Sequence, residues 1–97
     1  MTILIAGTVD IGGGNRDAAL KAATELMADT RSQQGCEHYV WAADPTSDTR
    51  VYVYERWTTT EGLAAHLVGQ YYAGMLGILG SYNVENVEVT KFRIDKE

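Results

Sequence analysis

Several residue types that identify other classes of protein are scarce in this chain. Cys36 is its single cysteine, which excludes an intrachain disulfide framework and a zinc site of four thiolates. Lysine and arginine together number 8 against 13 acidic residues, and the formal net charge is −5. Because no block of like charges occurs either, the chain lacks the electrostatic footprint of a nucleic-acid or anionic-membrane partner. A lone cysteine is typical of a reducing compartment, so we expect a cytoplasmic protein.

Long apolar runs are also missing. No stretch approaches the roughly 18 apolar residues that a transmembrane helix requires. The N-terminal sequence MTILIAGTVDIGGG has no basic flank followed by an apolar run of signal-peptide length. At 97 residues, without repeats or low-complexity tracts, the chain predicts one domain with one core over residues 1–97. A domain of this size is close to marginal stability, so pairing with a second copy would help.

Apolar patterns and turn residues predict a mixed structure. Four stretches rich in β-branched and aromatic residues are predicted strands, over residues 2–9, 36–43, 50–57 and 84–94. The single proline, Pro45, lies between the second and third of them in a turn-forming sequence, so these two most simply form a hairpin. Apolar residues at helical spacing predict one helix over residues 16–33, which Asn15 or Asp17 can cap and Gly35 can end.

A second helical region follows the third strand. Thr58 and Glu61 have the spacing of a capping box, in which a hydroxyl accepts from one free amide and a carboxylate reaches back to another. A helix is therefore predicted to begin there, to break near Gly69 and to give way to further helix from Tyr71 to Leu79. The order strand, helix, strand, strand, helix, strand predicts a ferredoxin-like α+β fold, an antiparallel sheet with both helices on one face.

The opposite face of such a sheet has no helices to cover it. It would expose apolar side chains to water, among them Ile3, Tyr52 and Tyr54. An exposed apolar patch of this kind usually marks an interface. We therefore expect a homodimer in which two sheets pack face to face.

His66 is the first candidate for chemistry, because an imidazole has the unperturbed pKa best suited to proton transfer near neutral pH. If Thr58 caps the helix, His66 lies in the third turn, three residues after Leu63 and near the same face, which should point toward the sheet. There the imidazole could take a proton from an acidic ligand hydroxyl. The alternative is a partly buried histidine that hydrogen-bonds to a backbone carbonyl.

Aromatic side chains on neighbouring strands could build a binding cleft. Trp57 and Glu55 share one face of the third strand, and Trp41 and Tyr39 share a face of the second, because side chains alternate along a strand. If both faces point to the helices, they form an aromatic-walled cleft for a flat aromatic ligand. Alternatively, the rings only fill the core and the dimer interface.

Three further residues have open roles. Glu55 could orient His66 or a lysine, although a strand glutamate is more often solvated or paired at an interface. Tyr71 and Tyr72 lie where the second helical region breaks, so a phenol could reach the mouth of the cleft; in the simpler interpretation one packs and one is solvated. The only histidines, His38 and His66, have no metal-ligand spacing, and we expect no metal site.

Two segments, TRSQQGCEHYVWAADP and YERWTTTEGLAAHL, resemble the antibiotic biosynthesis monooxygenase family and its quinol monooxygenase-like members. The residues that match the family pattern are Arg31, Gly35, Cys36, Tyr39, Asp44, Glu55, Trp57, Leu63 and His66. The match covers residues 31–67, and the predicted strand order agrees over the whole chain. The resemblance implies a dimeric α+β barrel that oxidises hydroquinones or polyketide phenols with O₂ and uses no flavin, haem or metal.

The chain also departs from individual branches of that family. Tyr71 occupies the region in which quinol-oxidising members carry a second histidine, and Val53 stands where polyketide-oxidising members carry an asparagine. Haem-degrading members need an asparagine on the first strand and a tryptophan on the helix, where this chain has Gly7 or Thr8 and His66. The resemblance therefore implies the fold of the family with only part of the polar side chains that its characterised branches carry at the site.

Three functional hypotheses follow. The first is a cofactor-independent monooxygenase that acts on a hydroquinone or polycyclic phenol with O₂, in which His66 is the general base. Trp57 and Trp41 would enclose the aromatic ring, and Tyr39 or Tyr71 would hydrogen-bond its oxygens. The second is a non-catalytic dimeric ligand-binding or accessory domain on the same scaffold. An isomerase or another relative with this barrel is a third class, which would convert its substrate without O₂.

Overall fold

The computed structural model describes residues 2–95 and shows an antiparallel sheet with helices on one face. In chain order, its elements are β1 (Thr2–Ile11), α1 (Arg16–Ala22), α2 (Thr24–Arg31), β2 (Cys36–Ala43), β3 (Arg50–Trp57), α3 (Thr60–Leu67), α4 (Gln70–Ser81) and β4 (Val84–Ile94). The strand order is β2-β3-β1-β4, and each neighbouring pair is antiparallel. The predicted ferredoxin-like α+β fold is confirmed, while the predicted domain limits at residues 1 and 97 lie outside the described residues.

Each predicted helical region consists of two shorter helices. The helix expected over residues 16–33 is interrupted at Ala23 and ends two residues early. Asn15 is the N-cap of α1, although its side chain makes no capping hydrogen bond. Gly35, at φ +88°, turns the chain into β2, a backbone conformation that favours glycine. The break predicted near Gly69 is confirmed, since this residue is the N-cap of α4. Among the described residues, no helix is long and apolar enough to cross a bilayer.

The start of α3 differs from the prediction by one residue. Thr59 is the N-cap, and its hydroxyl accepts the backbone amide hydrogen of Gly62 at 3.0 Å. The amide of Thr58 instead donates to the carbonyl of Gly35 at 2.8 Å, so Thr58 still belongs to the strand layer. The capping box predicted for Thr58 and Glu61 is therefore wrong, because consecutive threonines offer two equally good caps and strand pairing uses the first.

Two residues of the family pattern hold the β2–β3 hairpin in place. Asp44 accepts hydrogen bonds from the amide and hydroxyl of Thr46, at 2.8 and 2.7 Å, which fixes the turn around Pro45. These hydrogen bonds also hold the pKa of the Asp44 carboxyl below its ordinary value. Nε of Arg31 donates to the backbone carbonyl of Tyr39 at 2.8 Å and so ties α2 to β2. Both roles are structural.

The two faces of the sheet differ in burial. Tyr52 and Tyr54 lie on the face without helices, at 50% and 37% exposure, as predicted. Ile3 is only 1% exposed and packs with Trp57 and Leu63 on the helix side. Its predicted place on the open face is wrong because Ile3 pairs directly with Trp57 across β1 and β3, and paired residues share a face.

The helix-side face of β4 is only partly covered. Val87 and Val89 lie on that face and are 57% and 36% exposed. Val89 pairs with Gly7 of β1. A Cβ at position 7 would collide with the backbone carbonyl of Glu88, so only glycine fits there. The gap between β4 and α4 is the opening of the cavity described next.

Candidate functional site

A cavity of about 320 Å³ lies between the sheet and helices α3 and α4. Much of its wall is aliphatic, and its aromatic, polar and charged side chains are Tyr39, Trp41, Glu55, His66, Tyr72 and Lys91. Its volume is near the lower end of the range of roughly 300–1,000 Å³ that small-molecule sites occupy. A second hollow, of about 310 Å³ near the start of α3, is lined by small and polar residues and has no aromatic wall. We therefore consider the aromatic cavity the candidate site.

His66 is enclosed by three aromatic rings at one end of this cavity. It is 1% exposed and shares a buried face of α3 with Leu63, so the helix does point both side chains toward the sheet. Its ring centroid lies 4.9 Å from that of Trp57 and 5.6 Å from those of Tyr39 and Tyr72. Packing on three sides leaves the imidazole little freedom to rotate.

Gln33 determines which imidazole nitrogen carries the hydrogen. Nδ1 of His66 lies 2.8 Å from Oε1 of Gln33, and an amide oxygen can only accept, so Nδ1 donates. Nε2 then keeps its lone pair, and it has no hydrogen-bond partner within residues 2–95. Burial lowers the pKa of His66, which favours this neutral form. The partner is thus a side-chain amide and not the backbone carbonyl considered above.

A glycine makes the contact between Gln33 and His66 possible. A Cβ at Gly62 would lie 2.8 Å from the carbonyl oxygen of Gln34, closer than such atoms normally approach. A bulkier residue would therefore push α3 away from the loop that carries Gln33.

Glu55 is buried inside the protomer, at 7% exposure, and is not solvated. Its Oε1 accepts a hydrogen bond from Nε1 of Trp57 at 3.0 Å. Burial raises the pKa of Glu55, and the hydrogen bond from the indole opposes that shift. Trp57 is 0% exposed and does not line the cavity, so the structure places Trp41 in the predicted aromatic wall and leaves Trp57 in the core beside His66.

Tyr39 and Trp41 form the wall that belongs to β2. Burial and the neighbouring Glu55 raise the pKa of Tyr39 well above its usual range, so its hydroxyl stays protonated and can donate. The indole Nε1 of Trp41 is buried close to the Tyr39 hydroxyl, where it opposes the rise in the pKa of Tyr39. No hydrogen bond of normal geometry joins this nitrogen to any part of the chain that the structure describes. Trp41 therefore offers the cavity its ring, since its Nε1 is buried away from the open space.

The two tyrosines at the start of α4 differ in position. Tyr72 lines the cavity and meets the imidazole of His66 edge-on. Tyr71 is half-buried and does not belong to the lining. The structure therefore brings Tyr72 to the site and leaves Tyr71 outside it.

Two residues of the site were missed by reasoning from the sequence. Gln33 gave no signal, since it lies 33 positions from His66 and no pattern links them. Lys91 did have a signal, because Val87, Val89 and Lys91 alternate on β4 and must share a face. Within residues 2–95 no three His, Cys, Asp or Glu side chains are grouped so that they could hold a metal ion.

Solved structures resemble this chain over nearly its full length. A conserved protein of unknown function from Bacteroides thetaiotaomicron, suggested to be an oxidoreductase, is 30% identical with a TM-score of 0.82, covering 94% of this chain and 95% of that one. A Deinococcus radiodurans protein suggested to be an antibiotic biosynthesis monooxygenase has 18% identity, a TM-score of 0.85 and coverage of 100% and 95%. A Nitrosomonas europaea protein with the same suggested activity has 16% identity, a TM-score of 0.82 and coverage of 96% and 97%.

At 18% and 16% sequence identity, the structures from Deinococcus radiodurans and Nitrosomonas europaea show only that the fold is shared. No curated protein sequence matches the chain at a significant level. The model of the family described as antibiotic biosynthesis monooxygenase matches residues 2–75, which is most of the chain. The resemblance carried by residues 31–67 is thereby confirmed, and the chain belongs to the antibiotic biosynthesis monooxygenase family.

Proposed function

We propose that this protein is a cofactor-independent monooxygenase that oxidises a hydroquinone or a polycyclic phenol with O₂. The observation that carries the proposal is the imidazole of His66, which is neutral, held through Nδ1 by Gln33 and placed at the end of an aromatic cavity. A base held in one orientation beside an apolar cavity fits the removal of a proton from a bound hydroxyl.

Substrate binding follows from the shape and composition of the wall. A flat aromatic ring would lie against the wall that Tyr39, Trp41 and Met75 form by packing together. Ring stacking and the burial of apolar surface both favour such a ligand.

The first chemical step is proton transfer. A phenol has an ordinary pKa near 10, so it needs a base to ionise at neutral pH. Nε2 of His66 accepts the proton, and the imidazolium forms beside a phenolate, which offsets the cost of charging a buried histidine. The protonated hydroxyl of Tyr39 stabilises the phenolate oxygen by a hydrogen bond.

The second step is the reduction of O₂ by the electron-rich phenolate itself. One oxygen atom enters the ring, and the other leaves as water after a ring hydrogen is lost. A phenol with a hydrogen at its para carbon and one O₂ thus give a para-quinone and one H₂O. The apolar wall of the cavity keeps bulk water from the reactive intermediate.

We further propose that the working form is a homodimer built on the sheet face that has no helices. Tyr52, Tyr54, Val40 and Phe92 are exposed there, and an apolar face of this kind fits a second copy of the same sheet. Sedimentation equilibrium should give twice the chain mass, and a monomer at micromolar concentration would contradict this part of the proposal. A cytoplasmic location stays a prediction.

Oxygen uptake provides the direct test of the activity. The purified protein, under metal-free conditions, should consume O₂ with members of a panel of naphthohydroquinones and anthrones, and ¹⁸O₂ should place one labelled oxygen in the product. Quenching of the tryptophan fluorescence by the same compounds reports binding separately. Quenching without O₂ uptake would instead support the ligand-binding domain, and conversion without O₂ would support an isomerase.

A further inference from the structure

The open side of the cavity carries a charged residue that the proposed chemistry does not use. Lys91 lies on β4 at alternate positions with Val87 and Val89, so the three share the face toward the helices. Lys91 pairs with Ile5 of β1, which pairs with Glu55 of β3. These residues form one row across the sheet, and each of them lines the cavity.

The charge of Lys91 is not matched inside the cavity. Lys91 is the only lysine or arginine of the lining, and within residues 2–95 no carboxylate lies within 4.0 Å of its ammonium group. Glu55, the only acid of the lining, accepts from Trp57, and burial disfavours its charged form. Two interstrand steps, about 10 Å, also separate the backbones of Lys91 and Glu55. The positive charge is therefore available to a ligand.

Filling the cavity would change the surroundings of this ammonium group. Lys91 is exposed in the free protein, where water solvates the charge. A ligand that reaches β4 removes part of that water, which is unfavourable unless a new partner replaces it. A neutral aromatic brings no replacement, whereas a carboxylate forms a charge-assisted hydrogen bond.

We propose that Lys91 binds an anionic group of the substrate. This inference rests on the function proposed above, in which the reacting hydroxyl lies at His66. His66 contacts Tyr39 at the far end of the same row, three interstrand steps or about 14 Å from the backbone of Lys91. Because the lysine side chain spans part of that distance, the substrate class narrows to two- or three-ring hydroxylated aromatics with a carboxylate remote from the reacting hydroxyl.

Two matched probes test this site. In 6-hydroxy-2-naphthoate the hydroxyl and the carboxylate lie at opposite ends of the ring system, and its methyl ester has a similar shape without the charge. Calorimetric titration of the purified chain at low salt should show the carboxylate binding at least about fivefold more tightly than the ester. Lys91→Met keeps an unbranched apolar stem and should abolish this preference, and Lys91→Arg should restore it.

Arg93→Met is the matched control. Arg93 lies on the same strand and face as Lys91, but it pairs with Ile3 and does not line the cavity. The substitution changes the net charge equally and should leave the preference intact. The inference is overturned by equal affinities for the two probes, by no measurable binding of the carboxylate, or by a preference that persists in Lys91→Met.

Failure of this inference can be told apart from failure of the proposed function. A carboxylate preference that depends on Lys91, without O₂ uptake from any hydroquinone, supports the anion site and contradicts the monooxygenase. Equal O₂ uptake from neutral and carboxylated hydroquinones, in the unmodified protein and in Lys91→Met alike, supports the monooxygenase and contradicts the anion site.

Discussion

The two ends of the cavity are built differently. At the enclosed end His66 and Tyr39 line the cavity and Trp57 packs against His66, and all three side chains are almost fully buried. Hydrogen bonds to Gln33 and Glu55 hold two of these three rings, and Trp57 also packs in the core. The same interactions thus stabilise the fold and position the base, so this end is in place before a ligand arrives.

The open end consists of Leu76, Val87, Val89 and Lys91, all of them exposed. No hydrogen bond of these side chains occurs within residues 2–95, and their apolar atoms gain their burial only when a ligand covers them. Residues of this kind can change at little cost to the fold. Reactivity is therefore coupled to stability at the enclosed end, whereas residues that select the ligand at the open end can change with little loss of stability.

The largest expected effect is the loss of the base at the enclosed end. His66→Ala should lower kcat by about a hundredfold, since general base catalysis is worth roughly two to four powers of ten. Oxygen uptake with a confirmed substrate measures this change. His38→Ala is the control for loss of the other imidazole, which is exposed and outside the cavity. Its oligomeric mass is checked as well, because the ring of His38 lies 5.7 Å from that of Tyr54 on the face proposed for dimerisation. Turnover at the parental rate in His66→Ala would remove His66 from the mechanism.

A pair of valines in one row of the sheet compares the two ends directly. Val53 and Val89 both pair with Gly7 and both line the cavity, but Val53 is buried and Val89 is exposed. Val53→Ala should lower the free energy of unfolding by about 2 kcal/mol, and Val89→Ala by less than about 0.5 kcal/mol. Urea denaturation measures both, and equal losses would show that the two ends do not differ in their contribution to the fold.

Much of the fold was predictable because local patterns specify it. Stretches of β-branched and aromatic residues and the turn at Pro45 were sufficient to place the four strands and the β2–β3 hairpin, and Asp44 and Arg31 of the family pattern act on nearby backbone. The exact helix start was not predictable, since Thr58 and Thr59 have the same capping chemistry and only the hydrogen bond from the Thr58 amide to the Gly35 carbonyl separates them.

The candidate site was predictable only in part. Alternation correctly grouped Glu55 with Trp57, yet it gave no sign that their side chains bond to each other and that the glutamate is buried. The contact between Gln33 and His66 depends on how closely α3 approaches the loop after α2, which is a property of the tertiary packing at Gly62. Long-range contacts of this kind leave no periodic signal in a sequence.

Substitutions of Gln33 test whether the enclosed end holds His66 in one orientation before a ligand binds. Gln33→Leu removes the acceptor that holds Nδ1–H of His66, so kcat should fall about tenfold with little change in KM. Gln33→Glu keeps an acceptor and adds a negative charge, so it should retain turnover and move the acid limb of the pH–rate profile upward. Gln34→Leu is the control, since Gln34 is exposed and does not bond His66. A pH profile of Gln33→Glu identical to that of the parent would contradict a role for Gln33 in positioning His66.

The smallest expected effect is a change in how the free energy of unfolding depends on pH. Burial lowers the pKa of His66 below its ordinary value of 6.5 in the folded state, so the unfolded chain binds the proton more readily. The stability that neutral His66 contributes is therefore fully present above pH 6.5 and is lost as the pH falls through the lower, folded pKa. Glu55 acts with the opposite sign, because its raised pKa makes the folded state bind a proton more readily than the unfolded chain.

Comparing variants separates these two contributions. Urea unfolding at a series of pH values below neutrality should show a smaller loss of stability on acidification in His66→Gln than in the parent, and a larger loss in Glu55→Gln. If His66→Gln loses stability with the same slope as the parent, the imidazole is not shielded from water as its three surrounding rings imply. The enclosed end would then differ from the open end in shape only, and the coupling between fold and reactivity would lose its physical basis.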